Sequence, residues 1–252
     1  ARRILEALET YGFEWDGSVG YQSRNAGVHR EAISALLHRG AAYRCACSRR
    51  DLLGLPRGPL GPIYPGTCRA GSTAHKAAVR VRTHDDAVSF DDALQGPRSQ
   101  RLESESGDFV ICRRDGLIAY HLAVVVDDAN DRVSEVVRGV DLLDSTPRQI
   151  HLQRLLGLPT PRYMHIPVAE NAAGQKLSKR TGAAGLDLQR PRPTLVAALR
   201  ALQQPLTGDI ANAPLGAIWE WAITHWDPAP LHGRCRIPPP PGSLAGTENG
   251  LS

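Results

Sequence analysis

The segment from Gly174 to Arg180, Gly-Gln-Lys-Leu-Ser-Lys-Arg, constrains the fold of this chain more than any other stretch. Of the thirty basic residues three are lysines, and two of these, Lys176 and Lys179, lie in this segment. Where arginine fills the other basic positions, a retained lysine indicates a site that needs a compact, mobile ammonium, such as one that follows a phosphate. A strand predicted over 163–169 leads into the segment, which is typical of a nucleotide-binding loop in an α/β fold. The alternative is a solvated surface turn.

Composition excludes several classes of protein. The 252 residues are 42% hydrophobic and 22% charged, values typical of a soluble globular chain with a substantial core. The longest apolar run, 122–126, is too short to span a bilayer, so we expect no membrane association and a cytoplasmic location. Five cysteines favour reduced thiols or metal ligands over a disulfide framework. A formal charge of +4 permits a nucleic-acid partner without requiring one.

Apolar periodicity and turn residues predict alternating helices and strands. The pattern indicates two helices before Gly40, a capping-box turn over 48–51, and strands over 41–47, 77–81, 109–112 and 133–137. We interpret 88–90 as a neighbour of the 77–81 strand and the surrounding residues 85–106 as polar surface. The stretch 118–128 fits a strand or a helix equally well, because its valine run favours one and its apolar spacing the other.

The apolar run 133–137 predicts a core strand, which leads directly into Arg138. In open α/β sheets ligands bind at the carboxyl edge of the strands, so Arg138 is a candidate clamp for a carboxylate or a phosphate. A surface salt bridge to Asp141 or Asp144 is the alternative. Thr146 and the following proline then predict the start of a helix that ends at Gly157.

Three cysteines and a tyrosine follow one another closely: Cys45, Cys47, Tyr64 and Cys68. A strand turn with two thiolates, approached by a loop with a third, is the geometry of a structural zinc site. The fourth ligand is Tyr64 or His75. The alternative is that the cysteines are small buried hydrophobic residues.

Three longer motifs, 119–128, 137–149 and 176–180, resemble the catalytic domain of glutamyl-tRNA synthetases, which are class I enzymes with a Rossmann core. The last of them corresponds to the KMSKS signature of the family, and the resemblance extends over about residues 1–200. It implies an α/β fold with a Rossmann-type class I synthetase catalytic core that is N-terminally incomplete, a small zinc-binding insertion and C-terminal helices.

The resemblance also implies five segments along the chain. They are a helical part of the Rossmann core (1–40), an insertion with the zinc-binding subdomain (41–107), the second half of the core with the KMSKS-like loop (108–190), C-terminal helices (191–227) and a disordered Pro-rich tail (228–252).

One branch of the family, the glutamyl-queuosine tRNA(Asp) synthetases, lacks the anticodon-binding domain and has zinc ligands in the pattern Cys-x-Cys and Tyr-x-x-x-Cys. Cys45, Cys47, Tyr64 and Cys68 reproduce that pattern. The resemblance implies that a monomer forms glutamyl-adenylate from glutamate and ATP, with Mg²⁺ and without tRNA. The glutamyl group then passes to queuosine in the anticodon loop of tRNA(Asp).

The same resemblance implies roles for individual residues. Tyr120 and Arg138 correspond to residues that line the glutamate pocket. Lys179 corresponds to the catalytic lysine that binds ATP and stabilises charge developing on the phosphates. Lys176 and Ser178 would bind ATP with it and steady the loop.

The 252 residues depart from the family at one important point. They contain neither a Ser-Pro-Ser/Thr-Gly element nor a His-x-Gly-His, the HIGH signature that faces ATP. We therefore expect an N-terminally truncated sequence that does not itself activate glutamate. Two alternatives are the truncated catalytic domain of a discriminating glutamyl-tRNA synthetase and a non-catalytic, zinc-stabilised RNA-binding module.

Overall fold

The computed structural model describes residues 2–171, 173–178 and 185–240. The chain divides into two units, one of Val19–His165 and one that joins Ala1–Ser18 to Ile166–Ser252. Within the described ranges, every helix is too short or too polar to cross a membrane. The five-segment division stays a prediction.

The secondary structure alternates between helices and strands, as the sequence predicts. The α-helices are α1 (Arg2–Thr10), α2 (Ala26–His38), α3 (Leu102–Glu105), α4 (Tyr120–Asn130), α5 (Thr146–Leu156), α6 (Pro191–Ala201), α7 (Gly208–Asn212) and α8 (Leu215–Thr224). The strands are β1 (Ala42–Cys45), β2 (Arg57–Gly58), β3 (Gly61–Pro62), β4 (Ala78–Val81), β5 (Ala87–Asp92), β6 (Gly96–Arg101), β7 (Phe109–Cys112), β8 (Glu135–Gly139), β9 (Arg162–Ile166), β10 (Val168–Ala169) and β11 (Arg236–Ile237). Short 3-10 helices span Gln22–Asn25, Arg50–Leu52, Val140–Ser145 and Ala229–Leu231.

The main core of the larger unit lies against an antiparallel sheet of β1, β4 and β7, with β4 in the centre. Helices α2, α4 and α5 contribute side chains to this core. Leu36, Leu122 and Leu152 are fully buried in it, and each contributes about 1.5–3 kcal/mol relative to an exposed position.

The ambiguous stretch 118–128 is helical from Tyr120 onward, whereas Ile118 forms an isolated antiparallel bridge with Cys112. Leu122, Val125 and Val126 are buried together in the main core, and their spacing places them on one face of α4. The β-branched valines favour a strand locally, but burial of this helical face outweighs the preference.

The interpretation of residues 85–106 as polar surface is wrong. Strands β5 and β6 form an antiparallel hairpin, and β5 also pairs in parallel with β9, in a sheet ordered β6-β5-β9-β8. Residues 88–90 therefore neighbour β6 and β9 and not the 77–81 strand. Val88 and Leu102 are buried in a second apolar cluster. A strand buries alternate residues, so a largely polar composition did not reveal its inner face.

The prediction of a core strand over 133–137 is also wrong in one respect. Strand β8 lies at the edge of its sheet, and Val137 is 56% exposed. A short apolar run does not reveal whether a strand has neighbours on one side or on two.

In the smaller unit, α6 packs against α8 through an apolar cluster that includes Leu195, Leu199 and Ile218. The prediction of disorder is wrong for residues 228–240. Leu231 is fully buried, and β11 pairs in parallel with β10. Proline removes backbone donors, but a two-residue strand needs few of them. The rest of the predicted tail, 241–252, lies outside the described residues.

Candidate metal centre and active site

The structure brings the four predicted zinc ligands together. The sulfurs of Cys45, Cys47 and Cys68 lie within 4.8 Å of one another. The phenol oxygen of Tyr64 is 3.4 Å from the Cys45 sulfur and 3.3 Å from the Cys47 sulfur, and the sulfurs of Cys47 and Cys68 are 3.5 Å apart. Tyr64, and not His75, therefore supplies the fourth donor atom of this cluster.

These four donors fit a structural Zn²⁺ ion. With metal–sulfur bonds of about 2.3 Å, a tetrahedron has sulfurs about 3.8 Å apart and a sulfur–oxygen separation of about 3.5 Å. The Cys47–Cys68 sulfur separation of 3.5 Å and the two sulfur–oxygen separations of 3.4 and 3.3 Å are close to these values. Four protein ligands leave no position for water, which is typical of a structural site and not of a catalytic one. That these residues bind zinc stays a prediction.

The surroundings of the cluster shift the pKa values of its ligands in opposite directions. Hydrogen bonding to Tyr64 lowers the pKa of the Cys68 thiol to about 7, whereas burial raises the pKa of both Cys47 and Tyr64. The buried guanidinium of Arg80 lies 3.9 Å from the centre of the Tyr64 ring, and its Nε donates to the Cys45 sulfur. This cation offsets part of the charge that three thiolates carry when a metal is bound.

The loop that carries Cys68 is anchored by its neighbour Arg69. The Arg69 guanidinium binds both carboxylate oxygens of the buried Asp108 at 2.7 and 2.8 Å, and it also pairs with Glu103. Asp108 accepts further hydrogen bonds from Tyr43 and Thr83. A bidentate pair of this kind positions the loop as well as stabilising it.

Gly107 supports the other half of the cluster. It forms an isolated parallel bridge with Tyr64, and its φ of +65° lies in the left-handed region. A Cβ atom at Gly107 would lie 2.3 Å from the Tyr64 nitrogen and 2.5 Å from its carbonyl oxygen. Both the conformation and the close approach therefore require glycine.

We expect Gly107→Ala to displace Tyr64 and to lower both the zinc content and the free energy of unfolding. Left-handed backbone alone costs a non-glycine residue about 1–2 kcal/mol, and the overlap with Tyr64 adds about 1–3 kcal/mol. Gly96→Ala is the matched control, because Gly96 has a φ of +72° but open space at its Cβ position. Urea unfolding and metal analysis of both variants measure the difference. Equal losses in the two variants would contradict the expectation.

Arg138 lies near the end of β8, and its partners differ from the predicted alternative of a surface salt bridge. Its Nε donates to His165 Nε2 at 3.0 Å, and its Nη2 donates to the Thr146 hydroxyl at 2.8 Å and to the Leu142 carbonyl at 3.4 Å. Among the described residues, none accepts a hydrogen bond from Nη1. One edge of the guanidinium is therefore anchored within the protein, and the other end is left for a ligand.

Two buried side chains, those of His165 and Asp92, follow Arg138 in a series of contacts. His165 Nδ1 is 2.5 Å from Asp92 Oδ2, and both side chains are fully buried. Burial opposes ionisation of Asp92, but hydrogen bonds from His165 and from backbone amides leave its pKa below the usual range. Burial lowers the pKa of His165, although the Asp92 carboxylate opposes that effect. Sequence reasoning missed this pair, because no motif joins residues 73 positions apart.

Tyr120 begins α4 and is about half exposed. The Arg138 guanidinium carbon lies 5.5 Å from the centre of the buried Tyr163 ring, and burial raises the pKa of the Tyr163 phenol. Burial and the charges of Arg148 and Arg138 lower the pKa of the adjacent His121 to about 4, so His121 is neutral at pH 7.

The predicted phosphate-handling segment belongs to the smaller unit and begins as a hairpin beyond β10. Lys176 forms an antiparallel bridge with Glu170, and the Leu177 amide donates to the Ala169 carbonyl at 2.9 Å. Ser178 follows as a bend. Lys179 lies outside the described residues, so its role stays a prediction.

Comparison with known proteins identifies the family. The model for the catalytic domain of class I tRNA synthetases (E and Q) matches residues 66–192. The chain is 48% identical over 225 residues to the glutamyl-Q tRNA(Asp) synthetase of Pseudomonas syringae pv. syringae (strain B728a). The aligned region covers 89% of this chain and 75% of the relative. This chain belongs to the glutamyl-Q tRNA(Asp) synthetase family. It is 47% identical over 242 residues to another member, from Thiobacillus denitrificans (strain ATCC 25259 / T1), covering 94% of this chain and 80% of the relative.

Solved structures agree with the glutamyl-Q tRNA(Asp) synthetase assignment at the level of fold. A glutamate tRNA ligase from Elizabethkingia meningosepticum, in complex with its amino acid, matches with a TM-score of 0.72 and 18% identity over 94% of this chain. Glutamate-tRNA synthetase from Elizabethkingia anophelis matches with a TM-score of 0.70 and 18% identity over 93%. The chain spans 56% and 57% of these two proteins. The prediction of a class I synthetase fold is confirmed, as is membership of this ligase family, whereas the incomplete Rossmann core and the zinc-binding insertion stay predictions.

Proposed function

We propose that this protein activates glutamate with ATP and transfers the glutamyl group to queuosine in tRNA(Asp). The observation that carries the proposal is Arg138, a partly buried guanidinium with Nε and Nη2 anchored and with no acceptor for Nη1 among the described residues. The names of the relatives support queuosine in tRNA(Asp) as the acceptor. Its substrates, ATP and tRNA, favour action in the cytoplasm, and we propose that it acts as a monomer.

Two transfers make up the proposed reaction. In the first, the α-carboxylate of glutamate attacks the α-phosphate of ATP, glutamyl-adenylate forms and pyrophosphate leaves. In the second, a hydroxyl of the queuosine cyclopentenediol attacks the acyl carbonyl carbon, an ester forms and AMP leaves. Mg²⁺ accompanies ATP as part of the substrate.

The residues have distinct roles in this proposal. Arg138 binds a carboxylate of glutamate, because charge-assisted hydrogen bonds to guanidinium are strong and directional. The phenol of Tyr120 adds a hydrogen bond. Lys179 stabilises the charge that develops on the phosphates, a contribution of about 2.7–4 kcal/mol for a well-placed donor. Lys176 and Ser178 contact ATP and steady the loop.

We further propose a structural Zn²⁺ ion held by Cys45, Cys47, Tyr64 and Cys68. The ion would tie the end of β1 to the loop that carries Tyr64 and Cys68. It would take no part in the chemical steps, because all four ligand positions are filled by protein.

Pyrophosphate exchange tests the first step. We expect the protein, as its gene encodes it, to exchange labelled pyrophosphate into ATP with glutamate and without tRNA. A requirement for tRNA would favour the truncated discriminating glutamyl-tRNA synthetase, and no exchange at all would favour the RNA-binding module.

Transfer of labelled glutamate tests the acceptor. We expect tRNA(Asp) that carries queuosine to be labelled, and the same tRNA without queuosine to remain unlabelled. Labelling of tRNA(Glu) in place of tRNA(Asp) would contradict the proposed specificity.

A further inference from the structure

We infer that Asp92 and His165 are positioning residues that orient Arg138 for glutamate, by fixing which ring nitrogen of His165 carries the proton. The inference rests on the proposed glutamate-binding role of Arg138. The three side chains form a continuous series in which Asp92 Oδ2 lies 2.5 Å from His165 Nδ1, and His165 Nε2 lies 3.0 Å from Arg138 Nε. All three residues lie in the larger unit.

The hydrogen-bond chemistry of this series allows a single tautomer. Arginine Nε can only donate, so His165 Nε2 must accept and therefore carries no proton. The single proton of the neutral imidazole then lies on Nδ1, from which it is donated to the Asp92 carboxylate. A protonated His165 would present N–H to the N–H of Arg138 and would repel its charge. The arrangement at Arg138 thus depends on Asp92, which does not touch it.

The Asp92 carboxylate is itself held in place by backbone groups. Its Oδ1 accepts hydrogen bonds from the amides of Leu94, Gln95 and His165 at 3.1, 2.9 and 3.1 Å. The Gln95 side chain also donates to the His165 carbonyl at 2.9 Å. These bonds join the turn between β5 and β6 to β9, so the Asp92 carboxylate cannot rotate without breaking its hydrogen bonds to backbone amides.

Anchoring one edge of Arg138 favours ligand binding for an entropic reason. A free arginine side chain has about 2 kcal/mol of rotamer entropy, part of which is lost when it grips a ligand. His165 and Thr146 already hold Nε and Nη2, so this loss occurs on folding and not on binding. The guanidinium is therefore preorganised with Nη1 directed away from its anchors.

Asp92→Asn tests the inference with little change in shape. The three backbone amides require an oxygen at the Oδ1 position, so the new NH₂ group takes the Oδ2 position and donates to His165 Nδ1. The imidazole proton then moves to Nε2 and opposes Arg138. We expect the KM for glutamate in pyrophosphate exchange to rise about 10- to 100-fold, as for other changes to residues that orient a ligand-binding group. The KM for ATP should stay unchanged.

Nitrogen NMR of the His165 ring reports which nitrogen carries the proton. A general loss of stability would not change this tautomer. We expect the proton on His165 Nδ1 in the wild type and on Nε2 in Asp92→Asn. Asp85→Asn is the matched control, because Asp85 is exposed and contacts Ser104 and Arg101. It should change neither the tautomer nor either KM.

A second pair of variants keeps the test decisive if Asp92→Asn does not fold. Glutamine at position 165 places a carbonyl oxygen near the Nε2 position and can accept from Arg138, whereas leucine cannot. We expect His165→Gln to retain a KM for glutamate closer to that of the wild type than His165→Leu does. Equal KM values in this pair, or an unchanged KM in Asp92→Asn, would overturn the inference.

Arg138→Met separates failure of the inference from failure of the proposed function. If this variant loses glutamate and the Asp92 and His165 variants do not, the positioning role is wrong and Arg138 remains the clamp. If Arg138→Met binds glutamate as the wild type does, the proposed role of Arg138 is wrong, and the inference that rests on it is overturned as well.

Discussion

Arg138→Met raises the KM for glutamate in pyrophosphate exchange by at least about 100-fold, if the guanidinium binds the substrate carboxylate. Hydrogen bonds to charged groups contribute about 1.5–3 kcal/mol each, and the carboxylate would also remain desolvated without a partner. Methionine keeps an unbranched apolar chain of similar length. His165 Nε2 retains the Thr146 hydroxyl as a neighbour at 3.2 Å, so the effect on folding should be small.

Arg162→Met is the control for this prediction. Arg162 lies on β9, its side chain is 79% exposed, and it pairs with Glu135 at 3.3 Å. An exposed pair of this kind contributes at most about 1 kcal/mol to stability. We therefore expect an unchanged KM in Arg162→Met. Similar KM values in the two variants would contradict the assignment of Arg138 to the substrate.

We expect Cys68→Ser to abolish binding of the proposed zinc ion and to unfold the segment around it. Structural zinc sites derive folding free energy directly from metal binding, so we expect the free energy of unfolding to fall by about 3 kcal/mol or more. Metal analysis of the freshly purified protein should give one zinc per chain for the wild type and none for the variant. Wild-type protein that releases no zinc on denaturation would contradict the prediction.

Cys235→Ser provides the matched control for the metal. Cys235 is exposed and is not part of the cluster of Cys45, Cys47 and Cys68. We expect this variant to keep its zinc and its stability. A loss of zinc in both variants would show that the metal responds to cysteine replacement in general and not to the loss of a ligand.

At both proposed centres, residues outside the set of expected ligand contacts hold the ligand-binding side chains in place. At the metal cluster, Arg69 and Gly107 hold the ligand loop through contacts with Asp108 and Tyr64. At the other centre, His165 contacts the buried Asp92 carboxylate through Nδ1 and accepts a hydrogen bond from Arg138 through Nε2. In both places a residue with no expected contact to the ligand sets the geometry of one that binds it.

Several local features could be predicted from the sequence alone. The capping-box turn forms as predicted, because Ser48 and Asp51 exchange hydrogen bonds across three residues. Helix α5 begins at Thr146 and ends before Gly157, whose φ is +69°. These features depend on groups that are close along the chain, so residue type and spacing suffice to predict them.

The cysteine and tyrosine cluster is an intermediate case. Its members are separated by 19 and 21 residues across the loop, and their pattern singled them out before their distances were known. The choice between Tyr64 and His75 could not be made from spacing. It required the path of the loop, which Gly107 and Arg69 determine through long-range contacts.

The sequence by itself determined the capped turns and the helix ends, and it singled out the candidate groups for binding metal and substrate apart from the choice between Tyr64 and His75. Each of these depends on nearby residues or on side-chain chemistry. The tertiary structure alone decided that the stretch 118–128 is helical from Tyr120 onward, that β8 is an edge strand and that Asp92 lies against His165. Those outcomes depend on which apolar surfaces pack together and on which strands pair. Contacts of that kind join residues far apart in the chain, and their free energy exceeds the local preferences that a sequence pattern records.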